Sequence, residues 1–512
     1  MRDDIGGSRN SYNNILLRLE EYGVGGNYLL KSFVMKLLQA EAALKSQTIE
    51  VVSSHHPDIG YDALAREGLG DLNGPLAITI AVTLDHQRIS TEFFKLKYFS
   101  KAEVISALYI SLREPDAEII KYSSLYQKNR EKLHFWGPRE IQSLIAQHPE
   151  VATEASSNLF SNRMRTVLEH SKEDWKDERT LVIDKIRASY SSGRFSLLLG
   201  AGVSSSAGMP DWDTLLNSLF VSMLTTEDLG GKNAKSDTAP EHIASIVKRL
   251  RELDGPSALT LARYIRKGIV TDSSEAQDEF IATVTHQLYA LRNKELPENS
   301  ALIKAVVDLC VPSRTGANVK AVLTYNFDDL IEKELTSRGL AHRPIFEEIQ
   351  LPTARELPVY HVHGFLPEER SKFTNINKST LVFSEEGYHQ IYRDAYHWSN
   401  LVQLNSLKET SCLMVGLSLT DPNLRRLLEI SAKSMDAPRH FAFMKRIPYE
   451  KFSKVSEKSM LRASAPTVKR FLERHHKLNE EVMKELGVTV IWYEDYKEIP
   501  TILKSLNAEA KP

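Results

Sequence analysis

Hydrophobic residues follow two patterns along the chain, and these predict helices in one case and strands in the other. Apolar residues recur at helical spacing near the start: Leu29, Leu30, Phe33, Val34, Leu37 and Leu38. Short apolar, β-branched runs separated by turn residues follow: TIEVV, PLAITIAVTL and VISALYISL. This order predicts one small α/β domain over residues 1–165.

From Phe195 onward, apolar strands alternate with longer segments, which is typical of a parallel sheet flanked by helices. The predicted strands are FSLLLG, KAVLTYN, PVYHVHG, STLVFS and SCLMVG. The charged stretch before them suits a helix, so we place a linker helix at 166–184. We expect a doubly wound α/β domain at 185–505. The 201–319 segment is too long for one crossover, which predicts a helical insert at about 240–300 after a loop at 225–240.

Charge and composition narrow the class of protein. The 512 residues carry 65 Lys plus Arg against 67 Asp plus Glu, a net charge of −2, and residues 1–160 have 17 against 20. Nucleic-acid binding through the first domain therefore gets no support from charge. The N-terminal stretch has no apolar signal region and no run is long enough to span a bilayer, so we expect a soluble cytoplasmic protein without a membrane partner. The two cysteines, Cys310 and Cys412, are too few for a disulfide framework or a four-cysteine zinc site, and we expect no metal.

A glycine-rich turn follows the first strand of the second domain. Gly200, Ala201, Gly202 and Ser204 come directly after FSLLL, and Gly208 and Pro210 precede the next helix. Small residues at such a turn let backbone N–H groups approach a phosphate closely. A tight turn without a ligand is the alternative, because the glycine spacing is not the usual dinucleotide fingerprint.

Three later strands also end in polar or small residues. Open α/β sheets bind ligands beyond the carboxyl ends of their strands, so the four ends are expected to share one crevice. The residues after the later strands are Thr324, Asn326 and Asp328 in the first, His361, His363 and Gly364 in the second, and Gly416, Ser418, Thr420 and Asp421 in the third.

These four segments, in this order, resemble the sirtuin family over residues 185–500. Two of the motif sequences, T-Y-N-F-D-D-L-I-E and G-L-S-L-T-D-P-N-L-R, are more similar to those of the bacterial sirtuin-like NAD hydrolases of anti-phage defence than to those of the protein deacylases. The resemblance implies a sirtuin-like Rossmann-type fold with NAD+ as substrate. A deacylase also carries a zinc ribbon of paired cysteines, which this chain lacks, so water replaces acetyl-lysine as the expected acceptor.

The resemblance also implies roles for individual residues. Asn326 positions the reacting ribose and water, Asp328 lies in the nicotinamide and ribose pocket, and His363 is the catalytic base. The expected NAD-binding residues are Gly200, Ala201, Gly202, Ser204, Thr324, Gly416 and Ser418. Histidine and asparagine suit cleavage of a glycosidic bond, which needs a base with a pKa near neutrality. We favour His363 over His361, which lies further from the strand's end. Other motif residues are expected to cap helices or pack: Asp211, Trp212, Asp329 and Asp421.

The first domain resembles the restriction-endonuclease-like fold of Mrr-type nucleases. Such enzymes hold Mg²⁺ with an Asp on one strand and a Glu-x-Lys on the next. Asp62 fits the first position, but Thr79 and Ala81 occupy the others, so we expect a degenerate, catalytically silent domain. His55 and His56 beside Asp58 are read as an exposed turn in preference to a metal site.

The leading hypothesis is an NAD+ hydrolase that depletes NAD in anti-phage defence by abortive infection. The alternatives are a sensor that binds NAD or ADP-ribose without turnover, an NAD-dependent deacylase or ADP-ribosyltransferase, and an active nuclease. Because an ungated hydrolase would be toxic to its host, we expect a homo-oligomer and a phage-derived trigger or co-encoded defence protein as partner.

Overall fold

The structure is a computed structural model, and it describes residues 12–20, 23–51, 61–82, 106–114, 132–157, 159, 174–229, 249, 258–269, 274–313, 316–348, 350–376, 379, 381–394, 396–433, 435, 437–456 and 459–507. The predicted turn with His55, His56 and Asp58 lies outside these residues, as do residues 230–240 of the predicted loop.

The strands of the described residues are β1 Glu50–Val51, β2 Ala63–Ala65, β3 Gly68–Leu69, β4 Leu72–Asn73, β5 Leu76–Ala81, β6 Ser106–Ser111, β7 Lys132–Trp136, β8 Phe195–Leu199, β9 Val319–Thr324, β10 His342–Ile345, β11 Leu357–His361, β12 Ser411–Val415, β13 His440–Lys445, β14 Lys454–Ser456, β15 Ser459–Met460 and β16 Val488–Tyr493. A short 3-10 turn covers Arg370–Lys372.

The helices of the same residues are α1 Tyr12–Glu20, α2 Gly23–Leu44, α3 Pro138–Gln147, α4 Pro149–Ser157, α5 Trp175–Ser191, α6 Ala201–Ser205, α7 Trp212–Leu229, α8 Ala258–Ile269, α9 Ser274–Ala290, α10 Ala301–Cys310, α11 Leu330–Ser337, α12 Glu385–Arg393, α13 Trp398–Glu409, α14 Pro422–Ala432, α15 Tyr449–Ser453, α16 Ala465–Glu485 and α17 Glu498–Leu506. None of these described helices combines the length and apolarity needed to cross a membrane.

The contacts divide the chain into two compact units. The first comprises residues 1–185, 429–439 and 446–489, and the second comprises 186–428, 440–445 and 490–512. Both are mixed α/β structures, as the hydrophobic patterns predict. The domain bounds expected from the sequence, 1–165 and 185–505, stay a prediction. The first unit also includes residues from late in the chain.

A mixed sheet in the order β1-β2-β5-β6-β7 forms the centre of the first unit. Strands β5, β6 and β7 pair in parallel, while β1 and β2 run antiparallel to their neighbours. Helix α2 buries Phe33 and Leu37 in the same apolar core as Ile78 of β5 and Leu108 of β6. The helical spacing of α2 thus provides the apolar face that covers the sheet.

Asp62 of the first unit has its backbone and side chain engaged with the neighbouring strand β5. Its N–H donates to the carbonyl of Ile78 at 2.7 Å, and its Oδ2 accepts from the N–H of Ile80 at 2.6 Å. The ammonium of Lys31 lies 3.9 Å from the same oxygen. Thr79 and Ala81, which occupy the positions expected for Glu and Lys, are buried on β5.

The second unit contains a sheet in the order β10-β11-β9-β8-β12-β13-β16. The pairings from β10 through β13 are parallel. Strand β8, the first of these along the chain, has β9 on one side and β12 on the other, so the strand order reverses beside it. This confirms the predicted doubly wound sheet, and it creates the kind of switch point at which such sheets bind ligands.

Three features of the second unit differ from the sequence-based expectation. Residues 225–229, predicted to begin a loop, form the end of helix α7. The run STLVFS is not a strand where it is described, because 381–384 is an irregular segment whose Val382 N–H donates to the carbonyl of His363 at 2.8 Å. Its apolar residues Val382 and Phe383 are buried, which explains the strand-like pattern. The runs HFAFMK and VTVIWY form β13 and β16, although the sequence analysis did not single them out. Helices α8 and α9 lie within the predicted insert.

Candidate active site

Four strand ends meet at one edge of the second sheet. Strands β11, β9, β8 and β12 are consecutive neighbours and parallel, so their carboxyl ends lie side by side. The polar residues predicted after these strands therefore converge, as expected for a switch-point crevice.

The glycines at this edge bring two loops into close contact. The N–H of Gly202 donates to the carbonyl of Gly416 at 2.9 Å, and the N–H of Gly200 donates to Val415 at 2.9 Å. A Cβ added to Gly202 would lie 2.8 Å from the Cα of Gly416, which itself has a φ of +70°. Only glycine tolerates this approach, so these residues are required for the loop packing whether or not a ligand is present.

A buried polar network joins the ends of β8 and β9. The Nδ2 of Asn326 donates to the Oγ of Ser204 at 2.7 Å and to the carbonyl of Gly200 at 3.0 Å. Thr324, also buried, accepts the N–H of Asn326 at 3.1 Å. The Ser204 hydroxyl also hydrogen-bonds with the carboxyl group of Asp328. Five predicted site residues, from two strand ends that are more than 100 positions apart in sequence, thus share one network.

Asp328 is held in an environment that disfavours its charge. Burial raises the pKa of its carboxyl group from 3.8 to about 6, and the negative charges of Glu332 and Asp329 act in the same direction. The hydrogen bonds from Ser204 and from the N–H of Leu330, at 3.2 Å, oppose the rise. A carboxyl group that titrates this close to neutrality is able to exchange a proton at physiological pH.

The two histidines of β11 differ in their hydrogen bonds. His361 is fully buried, with Nε2 2.7 Å from the Oε1 of Glu332 and Nδ1 3.2 Å from the carbonyl of Asn326. His363 is also buried, but its Nε2 has no hydrogen-bond partner among the described residues. Burial lowers the pKa of His363, and the negative charge of Asp421 partly offsets this. Both ring nitrogens of His361 thus lie against partners within the protein, whereas Nε2 of His363 is available to hydrogen-bond a ligand.

Asp421 links the end of β12 to the environment of His363. Its Oδ1 accepts the N–H of Leu424 at 2.7 Å, which caps helix α14 as predicted. Its Oδ2 accepts the hydroxyl of Tyr388 at 2.5 Å and lies 3.8 Å from the Nε2 of His363. The rings of Tyr325 and Tyr388 stand edge-on to the His363 ring at 4.8 and 5.7 Å between centroids. Two tyrosines and a carboxylate thus surround this imidazole.

The other predicted residues have clear positions. Ala201 and Ser418 are exposed, and Ser418 Oγ lies 2.6 Å from Oγ1 of Thr420. Asp211 caps α7 through the N–H of Thr214 at 2.8 Å. Trp212 packs against Phe327 and Phe383, and Asp329 accepts the hydroxyl of Tyr289 at 3.0 Å. These capping and packing roles agree with the expectation for Asp211, Trp212 and Asp329.

Tyr388 and the second contact of Asp421 were not predicted from the sequence. Tyr388 lies on α12, outside all four motifs, and no local pattern marks it. Tyr325 stands inside the T-Y-N motif, but its hydroxyl donates to Gln403 of α13 at 2.5 Å, a contact across 78 positions. The described residues contain no cluster of three His, Cys, Asp or Glu suited to a metal ion.

Comparisons with known proteins show what this part of the chain is similar to. Residues 320–464 match the SIR2-like domain family. This SIR2-like segment includes Asn326, Asp328, His363 and Asp421, while the loop of Gly200 to Ser204 precedes it. The chain is also similar to the NAD(+) hydrolase ThsA of Enterococcus faecium, at 23% identity over 337 residues. That alignment covers 64% of this chain and 58% of the relative, so the chain spans less than two thirds of the relative's length.

Proposed function

We propose that this chain is an NAD+ glycohydrolase that releases nicotinamide and ADP-ribose. The observation that carries the proposal is the buried, unpartnered Nε2 of His363 at the edge where four strand ends converge. The SIR2-like match and the similarity to an NAD(+) hydrolase support NAD+ as the substrate.

The reaction breaks the bond between the nicotinamide nitrogen and the anomeric carbon of ribose. The bonding electron pair leaves with nicotinamide, and positive charge develops on the ribose. Water then adds to this carbon and loses a proton. Preorganised polar groups that stabilise the charge, and a base that accepts the proton, supply the catalysis.

His363 is the base in this scheme. Because burial lowers its pKa, the imidazole is neutral at pH 7 and able to accept a proton. The nearby carboxylate of Asp421 stabilises the imidazolium once it forms.

Asn326 and Asp328 orient the ribose and the attacking water. The hydrogen bonds of Asn326 to Ser204 and Gly200 fix the direction of its amide group. Asp328, with a pKa of about 6, adds a partly ionised carboxyl beside it. Gly200, Ala201, Gly202 and Thr324 line the side of the pocket that holds the rest of NAD, and Gly416 and Ser418 line the adenosine end.

The biological role follows from the chemistry. Depletion of NAD halts metabolism in the cell, which limits phage growth when the enzyme is triggered by infection. We propose that homo-oligomer formation, a phage product or a co-encoded protein provides the gate, and that the first unit is a silent nuclease-like domain.

Product analysis tests the proposal. The purified full chain is incubated with NAD+, with and without an acetyl-lysine peptide, at several protein concentrations and with lysate from infected cells. Nicotinamide and ADP-ribose in equal amounts, independent of the peptide, support hydrolysis. Peptide-dependent products would indicate a deacylase, and tight NAD+ binding without products a sensor. Asn405→Ala, at an exposed asparagine of α13, is a matched control for Asn326→Ala.

A further inference from the structure

A basic and aromatic surface lies on the first unit. Residues 446–478 contain nine Lys or Arg against three Asp or Glu, a net charge of 9 − 3 = +6, in a chain whose total is −2. This segment forms α15, the β14–β15 hairpin and the first part of α16. The near-neutral charge of the whole chain therefore conceals a strongly positive segment.

Six of the nine cations of this segment have exposed side chains, whereas Arg446 and Lys477 are buried and ion-paired. The six exposed side chains have no ion-pair partner among the described residues, although Lys469 lies 5.3 Å from the ring centre of Tyr449. The acidic residue Glu473, by contrast, is paired with Arg446 at 2.5 Å. Exposed, unpaired cations attract polyanions and release counterions when they bind. The exposed cations are Lys451, Lys454, Arg462, Lys469, Arg470 and Arg474.

Stacked rings run between these cations. Phe452 of α15 stacks on Phe471 of α16, with centroids 6.1 Å apart and planes at 30°. Phe471 in turn stacks on His475, one helical turn later, with centroids 6.5 Å apart and planes at 6°. Phe471 is 58% exposed and Leu478, further along the same helix face, is 40% exposed. Phe471 and Leu478 therefore leave apolar surface open to solvent along one helix face, beside the stacked rings.

The hairpin and the helices are tied together. The N–H of Leu461, just after β15, donates to the carbonyl of Ser453 in α15 at 2.8 Å. The N–H of Ile447, just before α15, donates to the Nε2 of the buried His476 in α16 at 3.2 Å. These hydrogen bonds fix α15, the hairpin and α16 relative to one another, so their rings and cations form one surface.

We infer that the surface formed by Phe452, Phe471, His475 and the surrounding exposed cations binds single-stranded nucleic acid. Proteins that bind single strands combine a positive track for the phosphates with aromatic side chains on which unpaired bases stack. Both components occur here on the same elements. A duplex would engage the cations but would leave the rings without stacking partners, because its bases are already paired and stacked. This inference does not depend on the proposed NAD+ cleavage.

Fluorescence anisotropy tests this inference. The full chain is titrated into labelled oligothymidylate and oligouridylate of about 20 nucleotides, longer than the site of one binding module. We expect Phe471→Ala to weaken binding by about 5- to 100-fold and Phe471→Tyr to preserve it, since stacking on a ring does not depend on the hydroxyl. Tyr264→Ala, at a ring that is 52% exposed in the second unit, is the control and should bind like wild type.

The salt dependence tests the cations. We expect Arg470→Gln combined with Arg474→Gln to reduce the slope of log affinity against log salt by about 1.4, or about 0.7 for each lost phosphate contact. Lys304→Gln with Arg355→Gln removes the same charge from exposed positions of the second unit and should leave the slope unchanged.

Several results would overturn the inference. One is that wild type does not bind the oligonucleotides at about 50 mM salt, and another is that it prefers a duplex. A third is that the control variants lose as much affinity as the test variants. A fourth is that Phe471→Ala changes only the oligomeric mass. The last result would indicate a second copy of the chain as the occupant. The thermal unfolding of each variant shows whether it is folded.

Discussion

The two α/β units differ in how the polar residues of their central sheets are used. In the first unit, the carboxylate of Asp62 accepts a backbone hydrogen bond from Ile80, and the positions beside it are occupied by Thr79 and Ala81. In the second unit, buried His363 has an unpartnered nitrogen among the described residues, and Asp328 has a pKa raised to about 6.

This difference supports the proposal that the second sheet carries a reactive centre and the first does not. Both sheets place polar side chains near strand ends, so position alone does not identify chemistry. A reactive centre retains hydrogen-bonding capacity and unfavourably buried groups, which cost stability but are available to a ligand. The second unit meets this description, whereas the carboxylate of Asp62 in the first unit is hydrogen-bonded to the backbone.

The largest expected effect separates the two histidines of β11. His363→Ala should lower kcat for nicotinamide release by about 10²- to 10⁴-fold, the usual contribution of a general base, with little loss of stability. His361→Ala should instead lower the free energy of unfolding by about 3 to 5 kcal/mol, because it leaves the buried carboxylate of Glu332 without its partner. Steady-state kinetics and urea unfolding of both variants measure the two effects. Equal kinetic losses in the two variants would contradict the distinction.

Asp328→Asn should stabilise the protein in a pH-dependent way. A folded-state pKa of about 6, against 3.8 for the unfolded chain, means that the folded protein binds the proton more tightly. The free energy of unfolding of wild type therefore falls as the pH rises from about 4 to 6, by up to about 3 kcal/mol. The asparagine variant lacks this fall, so its advantage should grow over that window and then level off. Urea unfolding of both proteins across this pH range measures the difference in their free energies of unfolding. A difference that is constant with pH would contradict the raised pKa of Asp328.

Asp421→Asn should have a smaller, kinetic effect. The negative charge of Asp421 raises the pKa of His363, so its removal should shift the acid limb of the kcat/KM profile to lower pH. We expect kcat to fall by about tenfold or less, because the imidazolium loses a stabilising charge. Tyr388→Phe is the control. It retains the charge of Asp421 and should not shift the acid limb to lower pH. A shift of the acid limb to higher pH in Asp421→Asn would show that the charge does not act on His363.

The smallest effect is expected in the first unit. Asp62→Ala should leave NAD+ cleavage unchanged and cost about 1 kcal/mol of stability, the usual net value of one hydrogen bond. Urea unfolding and nicotinamide release measure both properties. A large loss of cleavage would mean that the two units are functionally coupled, and divalent-metal-dependent cleavage of DNA that Asp62→Ala abolishes would contradict the silent nuclease fold.

Local patterns were sufficient to predict the order of the site segments. Each of the four motifs combines an apolar strand with polar or small residues at its end, and parallel pairing then brings the ends together. The preference for His363 over His361 also followed from position, and it stays a prediction until activity is measured.

Contacts between distant segments could not be predicted in this way. Tyr388 lies in α12 and reaches Asp421 across 33 positions, and the packing of Gly202 on Gly416 depends on the register of β8 with β12. The run STLVFS was mistaken for a strand because burial of an irregular segment produces the same apolar pattern. The positive segment at 446–478 was hidden because charge was summed over long stretches.

The most direct test of the central claim is the rate of nicotinamide release from NAD+ by the full chain, measured beside Asn326→Ala and His363→Ala. The account predicts repeated turnover by wild type and loss of that turnover in both variants, while NAD+ binding by His363→Ala persists. Turnover that survives in both variants would place the chemistry elsewhere, and NAD+ binding by wild type without any release would contradict the hydrolase.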